Sequence, residues 1–201
     1  MMRPFRPDRV PPILLSPESD AWLKAGGFDL EIGAGQGLHA IRYCQSHPER
    51  RLLAIERTKN KFNAFKQRWL NHPNLKNLLP LHADAISVIS QYIEPGCLEH
   101  VFLLYPNPYP KNRHGNLRWH NSPFMAQLLS AMTASAELHL ATNLRWYADE
   151  AILSMRSNWQ MECIQDRQIS SGMPPRTHFE RKYLGRGEVC YDLVFARARM
   201  K

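Results

Sequence analysis

The chain has 201 residues, enough for one compact domain with a single core, and its 44% hydrophobic and 22% charged content is ordinary for a globular protein. No apolar run approaches the ~20 residues that cross a bilayer, the Pro/Arg-rich start has no apolar signal core, and four scattered cysteines (Cys44, Cys97, Cys163, Cys190) give neither a disulfide framework nor a cysteine zinc site. Membrane insertion and secretion are disfavoured and a cytoplasmic protein is expected; the net charge of +8 suits a polyanionic partner without specifying one.

In chain order, residues 1–26 read as a Pro/Arg-rich arm and lead-in, extended where each proline removes a donor and fixes φ. Phe28–Ile32 reads as a strand running into Gly33-Ala34-Gly35-Gln36-Gly37, and Leu38–Ser46 as a helix stopped by His47-Pro48. A second strand, 52–55, ends at Glu56. Residues 60–70 form a helix with Phe62, Phe65 and Trp69 at i, i+3 and i+7. A third strand, 78–81, precedes Asp84 and a helix, Ala85–Tyr92; a fourth, 100–104, opens into Tyr105-Pro106-Asn107-Pro108-Tyr109-Pro110. Beyond it, 123–132 reads as a helix, 137–141 as a strand, 147–157 as a helix, and 159–164 and 189–195 as the last strands, separated by a polar loop at 166–187.

Strands alternating with helices predict the α/β class: a doubly wound, seven-stranded, mostly parallel sheet with helices on both faces. The last two strands have no helix between them and are expected to pair antiparallel at one edge. No repeat or linker interrupts the chain, so 1–201 reads as one domain.

Such sheets bind ligands beyond the carboxyl ends of their strands, near the point where strand order reverses, and four residue sets fall at four successive strand ends. The first is the glycine turn with Glu31. Its spacing is G-x-G-x-G rather than the dinucleotide pattern G-x-G-x-x-G, and a carboxylate beside it suits a cationic, phosphate-free ligand. Glu56 could accept from both ribose hydroxyls or be a solvated strand-end charge. Asp84, with the Ala85 N–H, could read an adenine edge, cap the following helix, or do both. The fourth set is Asn107 in its proline-rich turn, Tyr105 to Pro110, whose alternative is a stiff turn without chemistry. Lys111, Arg113, His114 and Arg118 form one basic cluster, and Arg176, Arg181, Lys182 and Arg186 another; either suits phosphates or forms a solvated face. The histidines show no metal spacing, so no metal is assigned.

Taken together, Glu31-x-Gly33-x-Gly35-x-Gly37, Glu56 and Asp84-Ala85 resemble the cofactor half of class I methyltransferases. The order of later motifs resembles the tRNA (guanine-N7)-methyltransferase family over residues 28–195. That family has Pro-Asp-Pro-Trp-Pro-Lys-Lys-Arg-His after the fourth strand, where this chain has Pro106-Asn107-Pro108-Tyr109-Pro110-Lys111-Asn112-Arg113-His114. It has Thr-Asp after the fifth, where this chain has Thr142-Asn143, and Thr-Lys-Phe-Glu in the late loop, where this chain has Thr177-His178-Phe179-Glu180. The resemblance implies S-adenosylmethionine as cofactor, held by Glu31, Gly33, Gly35, Gly37, Glu56, Asp84 and Ala85. It implies a target pocket from Asn107, Asn143, Thr177, Glu180 and Thr142, with Lys111, Arg113 and His114 on tRNA or another structured RNA.

Asn replaces the family's Asp at positions 107 and 143, which marks a divergent member. The expected activity is methylation of guanine N7 in tRNA. The alternatives are a cofactor- and RNA-binding relative with lost or altered catalysis, a methyltransferase for an exocyclic amine or small acceptor, and a nicotinamide oxidoreductase. The second draws on Asn-Pro-Tyr, similar to the Asn-Pro-Pro-Tyr of amino-group methyltransferases but one residue shorter.

Overall fold

The computed structural model describes residues 4–170 and 172–198. Residues 1–3 of the expected arm, 171 of the expected loop and 199–201 at the end lie outside the described residues. Seven strands form one sheet: β1 (Phe28–Ile32), β2 (Leu52–Glu56), β3 (Leu78–His82), β4 (Leu98–Leu104), β5 (Met132–Thr142), β6 (Met161–Ile169) and β7 (Cys190–Arg197). Their order is β3-β2-β1-β4-β5-β7-β6. The first five run parallel, and β7 runs against both β5 and β6. The last two strands therefore pair antiparallel at one edge as expected, with the reversed strand, β7, one place in from it.

Burial follows from position in the sheet. Every residue of β1 and β2 is buried, as expected for parallel strands covered on both faces. Edge strand β6 shows mixed burial. On one face, Leu30, Ile55, Leu103 and Leu140 pack against helices α4 (Ala85–Tyr92), α5 (Met125–Ala131) and α6 (Arg145–Trp159). On the other, Leu52, Ala54, Phe102 and Ala141 pack with residues of α2 (Leu38–Ser46) and α3 (Lys59–Leu70). Strand alternation divides one apolar run between two cores.

Two helices depart from the sequence reading. The lead-in is not extended throughout: α1 (Pro17–Lys24) forms there, with Ser16 Oγ accepting from the Ser19 N–H and proline at the first helical position. Upstream, the arm is tied to α4 by Gln91 Nε2 donating to Pro11 O at 2.9 Å and Tyr92 Oη donating to Ile13 O at 2.9 Å. The loop expected at 166–187 holds the end of β6 and a further helix, α7 (His178–Leu184). Thr177 Oγ1 caps α7 by accepting from the Glu180 N–H at 3.0 Å. Thr-x-x-Glu is thus a helix-start signal as well as a family motif. Among the described residues, no helix is long and apolar enough to cross a membrane.

Candidate active site

Strand order reverses between β1 and β4, and the glycine turn leaves the tip of β1 at that point. Gly35 and Gly37 both have positive φ, 59° and 74°, where a side chain is strained. Gly37 also sits against the Phe65 ring: an added Cβ would lie 1.9 Å from Phe65 Cδ2. The turn is fastened to the next strand tip, because the Gly35 N–H donates to Glu56 Oε2 at 2.9 Å. The other Glu56 oxygen accepts from the Thr58 N–H at 2.6 Å. Each carboxylate oxygen keeps a further lone pair.

Beside this turn lies a cavity of about 210 Å3. Its walls come from Glu31 and the glycine turn, from Leu38 and His39 of α2, from Lys61 of α3, from Leu104 of β4, and from Thr177, His178, Phe179 and Lys182 around α7. The Glu31 carboxylate is buried and meets His39 Nδ1 at 3.0 Å. Helix α7 closes the cavity from above and is docked by three cations of α2 and α3. Arg42 Nη1 donates to Pro175 O at 2.7 Å, Arg68 Nη1 meets His178 Nε2 at 2.7 Å, and Lys61 Nζ stands 5.5 Å from the Phe179 ring centroid. Burial, then Arg68, Arg181 and Arg42, push the His178 pKa down, so its ring stays neutral at physiological pH.

Of the candidate residues, Glu31, Gly33, Gly35 and Thr177 line the cavity; Gly37 and Glu56 hold the turn that forms it. Asp84 and Ala85 lie at the β3 tip, outside the lining. There Asp84 Oδ1 caps α4 by accepting from the Ile86 N–H at 2.9 Å. At the β4 tip, the exposed Asn107 accepts from the Tyr109 N–H at 3.1 Å, and Tyr105 and Tyr109 flank it with positive φ. At the β5 tip, Thr142 Oγ1 accepts from the Leu144 N–H, and Asn143 Nδ2 donates to Glu188 Oε2 at 2.9 Å.

Glu180 does not face the cavity. It is 1% exposed, and Arg176 occupies both of its oxygens while reaching Asp192 Oδ1 at 2.7 Å. Its geometry is that of a residue fixing the loop. Lys111, just before a short 3-10 turn, Asn112–Leu117, and Arg113 within it are exposed, and His114 in the same turn is half-buried. Arg118, grouped with them in sequence, is buried: it donates to the Pro108 and Tyr109 carbonyls and pairs with Glu150 at 2.6 Å. It ties the Asn107 turn to α6. Sequence reading gave no role to Glu188 or Glu150 and placed Arg176 only in a basic cluster; their partners Asn143, Arg118 and Asp192 lie 45, 32 and 16 positions away.

The Arg118 tie has a pH signature. Burial raises the Glu150 pKa, but Arg118, Asn121 and His120 outweigh it, and the net shift is below its ordinary 4.5. The stability this carboxylate contributes is therefore present above 4.5 and lost as pH falls through the lowered folded value. Neighbouring His120, pushed down mainly by burial, adds a loss of the same sign as pH falls below its ordinary 6.5. Urea midpoints measured down the acid range are expected to fall less steeply for Glu150→Gln than for wild type; identical slopes would remove Glu150 from the account.

A family model described as “Putative methyltransferase” matches residues 28–193. The chain is 31% identical to a tRNA (guanine-N(7)-)-methyltransferase from Burkholderia pseudomallei over 169 residues, 84% of this chain and 63% of that protein. It is also 31% identical to a protein of the same name from Neisseria gonorrhoeae over 171 residues, 84% of this chain and 71% of that one. The chain thus spans less than two thirds of the Burkholderia relative. Among solved structures, an “Antibiotic Related Methyltransferase” superposes with a TM-score of 0.67 at 11% identity, over 92% of this chain and 96% of that one. A 16S rRNA (adenine(1408)-N(1))-methyltransferase variant with cosubstrate SAM from Catenulisporales acidiphilia gives 0.61 at 15% identity, over 94% and 95%. At these identities the structural likeness is one of fold.

Proposed function

From the premise that the chain belongs to the tRNA (guanine-N7)-methyltransferase family, we propose that it transfers the methyl group of S-adenosylmethionine to a base in structured RNA, with guanine N7 in tRNA as the target. The observation that carries this reading is the glycine turn at the β1/β4 reversal, fastened to Glu56 and bordering a cavity that contains the buried Glu31 carboxylate. The residues fit the cofactor. A Cβ at Gly33 would meet no protein atom within 4 Å, so the bare backbone opens onto ligand space. Glu31 offers negative charge to a sulfonium or ammonium group, and Glu56 has lone pairs left for ribose hydroxyls.

Bound S-adenosylmethionine supplies an electrophilic methyl on a cationic sulfur. The in-plane lone pair of guanine N7 would accept that methyl as the methyl–sulfur bond breaks, the bonding pair staying on sulfur. No proton moves, so the chain's task is to orient the ring and exclude water, and such positioning supplies about 7–11 kcal/mol. Asn107 and Asn143 present amide groups at the β4 and β5 tips. Glu188, held by Asn143, puts a carboxylate where that asparagine carries none. Glu180 acts as a positioning residue through Arg176. Lys111, Arg113 and His114 meet RNA phosphates, in keeping with a net charge of +8. A cytoplasmic site of action follows from that substrate.

Incubation with methyl-labelled cofactor and bulk tRNA, followed by nucleoside mass spectrometry, is expected to place the label in 7-methylguanosine. Absence of label from every tRNA nucleoside would overturn transfer. A second reading, a binding relative with lost catalysis, draws support from Asn107, whose oxygen closes its own turn. On that reading tRNA and cofactor bind without transfer, and Asn107→Asp switches transfer on.

A further inference from the structure

The sheet brings together a second set of donor atoms, away from the cavity and with no counterpart in sequence spacing. The β4–β5 register sets His100 opposite Glu137 and Phe102 opposite His139. Residues two apart share a face, so His100, Glu137 and His139 converge on one side. His100 Nδ1 lies 3.1 Å from His139 Nε2 and 3.7 Å from Glu137 Oε2, and His139 Nε2 lies 3.4 Å from the same oxygen. Ligands about 2.0–2.1 Å from a tetrahedral zinc ion stand about 3.3–3.4 Å from one another. The three measured separations bracket that edge length.

We propose that His100 Nδ1, His139 Nε2 and Glu137 Oε2 form a site for a divalent transition metal, with zinc the first choice and the fourth position open to water. Two imidazoles and a carboxylate are a donor set zinc accepts. Two ring nitrogens and a carboxylate oxygen stand 3.1–3.7 Å from one another, and a cation among them would take a lone pair from each. The ligands are held in advance. Phe102 stacks on the His139 ring at 4.8 Å and 26°, and the backbone N–H of His100 donates to the buried Asp29 at 3.0 Å, which fixes the strand at that residue. Side-chain exposures of 28% for His100, 20% for His139 and 36% for Glu137 leave a path for the ion. His100 lies four residues before Leu104, about 13 Å down the strand, and none of the three side chains lines the cavity; the site would clasp β4 to β5.

The test is calorimetric titration of chelator-stripped full-length protein with zinc chloride, with thermal unfolding followed in parallel. The expected result is one equivalent per chain and a Tm raised by zinc, and cobalt(II) in its place should show the strong visible absorption of a tetrahedral ion. Glu137→Gln, of nearly unchanged shape at a part-exposed position, should keep its metal-free Tm and bind zinc about tenfold or more weakly. A His100→Asn/His139→Gln double variant should lose binding. No saturable zinc binding by wild type, or affinity unchanged in Glu137→Gln and in the double variant, would overturn the site and assign any bound zinc to other histidines.

Discussion

Gly37→Ala is expected to cost about 2–5 kcal/mol, from overpacking of about 1–3 and a left-handed side chain of about 1–2. The cause is specific: the new Cβ would sit 1.9 Å from Phe65 Cδ2, and Phe65 is 0% exposed, with no solvent to retreat into. Either the ring moves and α3 lifts off the sheet, or the turn opens and Gly35 leaves Glu56. Urea denaturation measures the first consequence and S-adenosylhomocysteine affinity the second. Shrinking the obstacle separates the two contributions: Phe65→Leu in the Gly37→Ala background should be less destabilised than the sum of the single variants, leaving the backbone strain. A Gly37→Ala protein within about 0.5 kcal/mol of wild type would contradict the close approach on which the turn depends.

Arg176→Met should lose about 3–5 kcal/mol, the cost of stranding a buried charge by removing its partner. Arg176 bridges two carboxylates, Glu180 at 1% exposure and Asp192 at 3%. Asp192 keeps Arg167 and Gln165, whereas Glu180 keeps the backbone N–H of residue 176 but loses its cation, so Glu180 is the buried charge left uncompensated, and it sits in the first turn of α7. The loss should therefore concentrate in α7, the roof of the cavity, and S-adenosylhomocysteine affinity should fall with it. Arg176→Lys should recover only part, since one ammonium cannot span both carboxylates as the guanidinium fork does. Hydrogen exchange localises the effect: faster exchange in α7 with the central strands unchanged is the expected pattern, and uniform exchange throughout would place the damage elsewhere.

The central strands and the glycine turn were legible because their signals are local. The apolar runs of β1 and β2, the G-x-G-x-G spacing and the Glu56 strand end lie within 29 consecutive positions, Phe28 to Glu56. What escaped depends on long-range pairing. Arg118 and Arg176 look like members of basic clusters, and only the fold shows each drawn inward by a carboxylate. Thr177-His178-Phe179-Glu180 read as chemistry in a loop, whereas the Thr177 cap and the Arg176–Glu180 pair make it the start of α7. Ser16-Pro17 carried a helix-start signal that the prolines around it hid. The His100–Glu137–His139 group could not be read from spacing, because strand register alone brings residue 100 to residues 137 and 139.

Calorimetric titration of wild type and Glu56→Ala with S-adenosylhomocysteine and with NAD asks most directly whether the tips of β1, β2 and β4 form an adenosine-sulfonium crevice. Wild type should bind one equivalent of S-adenosylhomocysteine and no NAD, and Glu56→Ala, which frees the Gly35 N–H, should lose most of that affinity. NAD binding in preference to S-adenosylhomocysteine, or S-adenosylhomocysteine affinity unmoved in Glu56→Ala, would contradict the account.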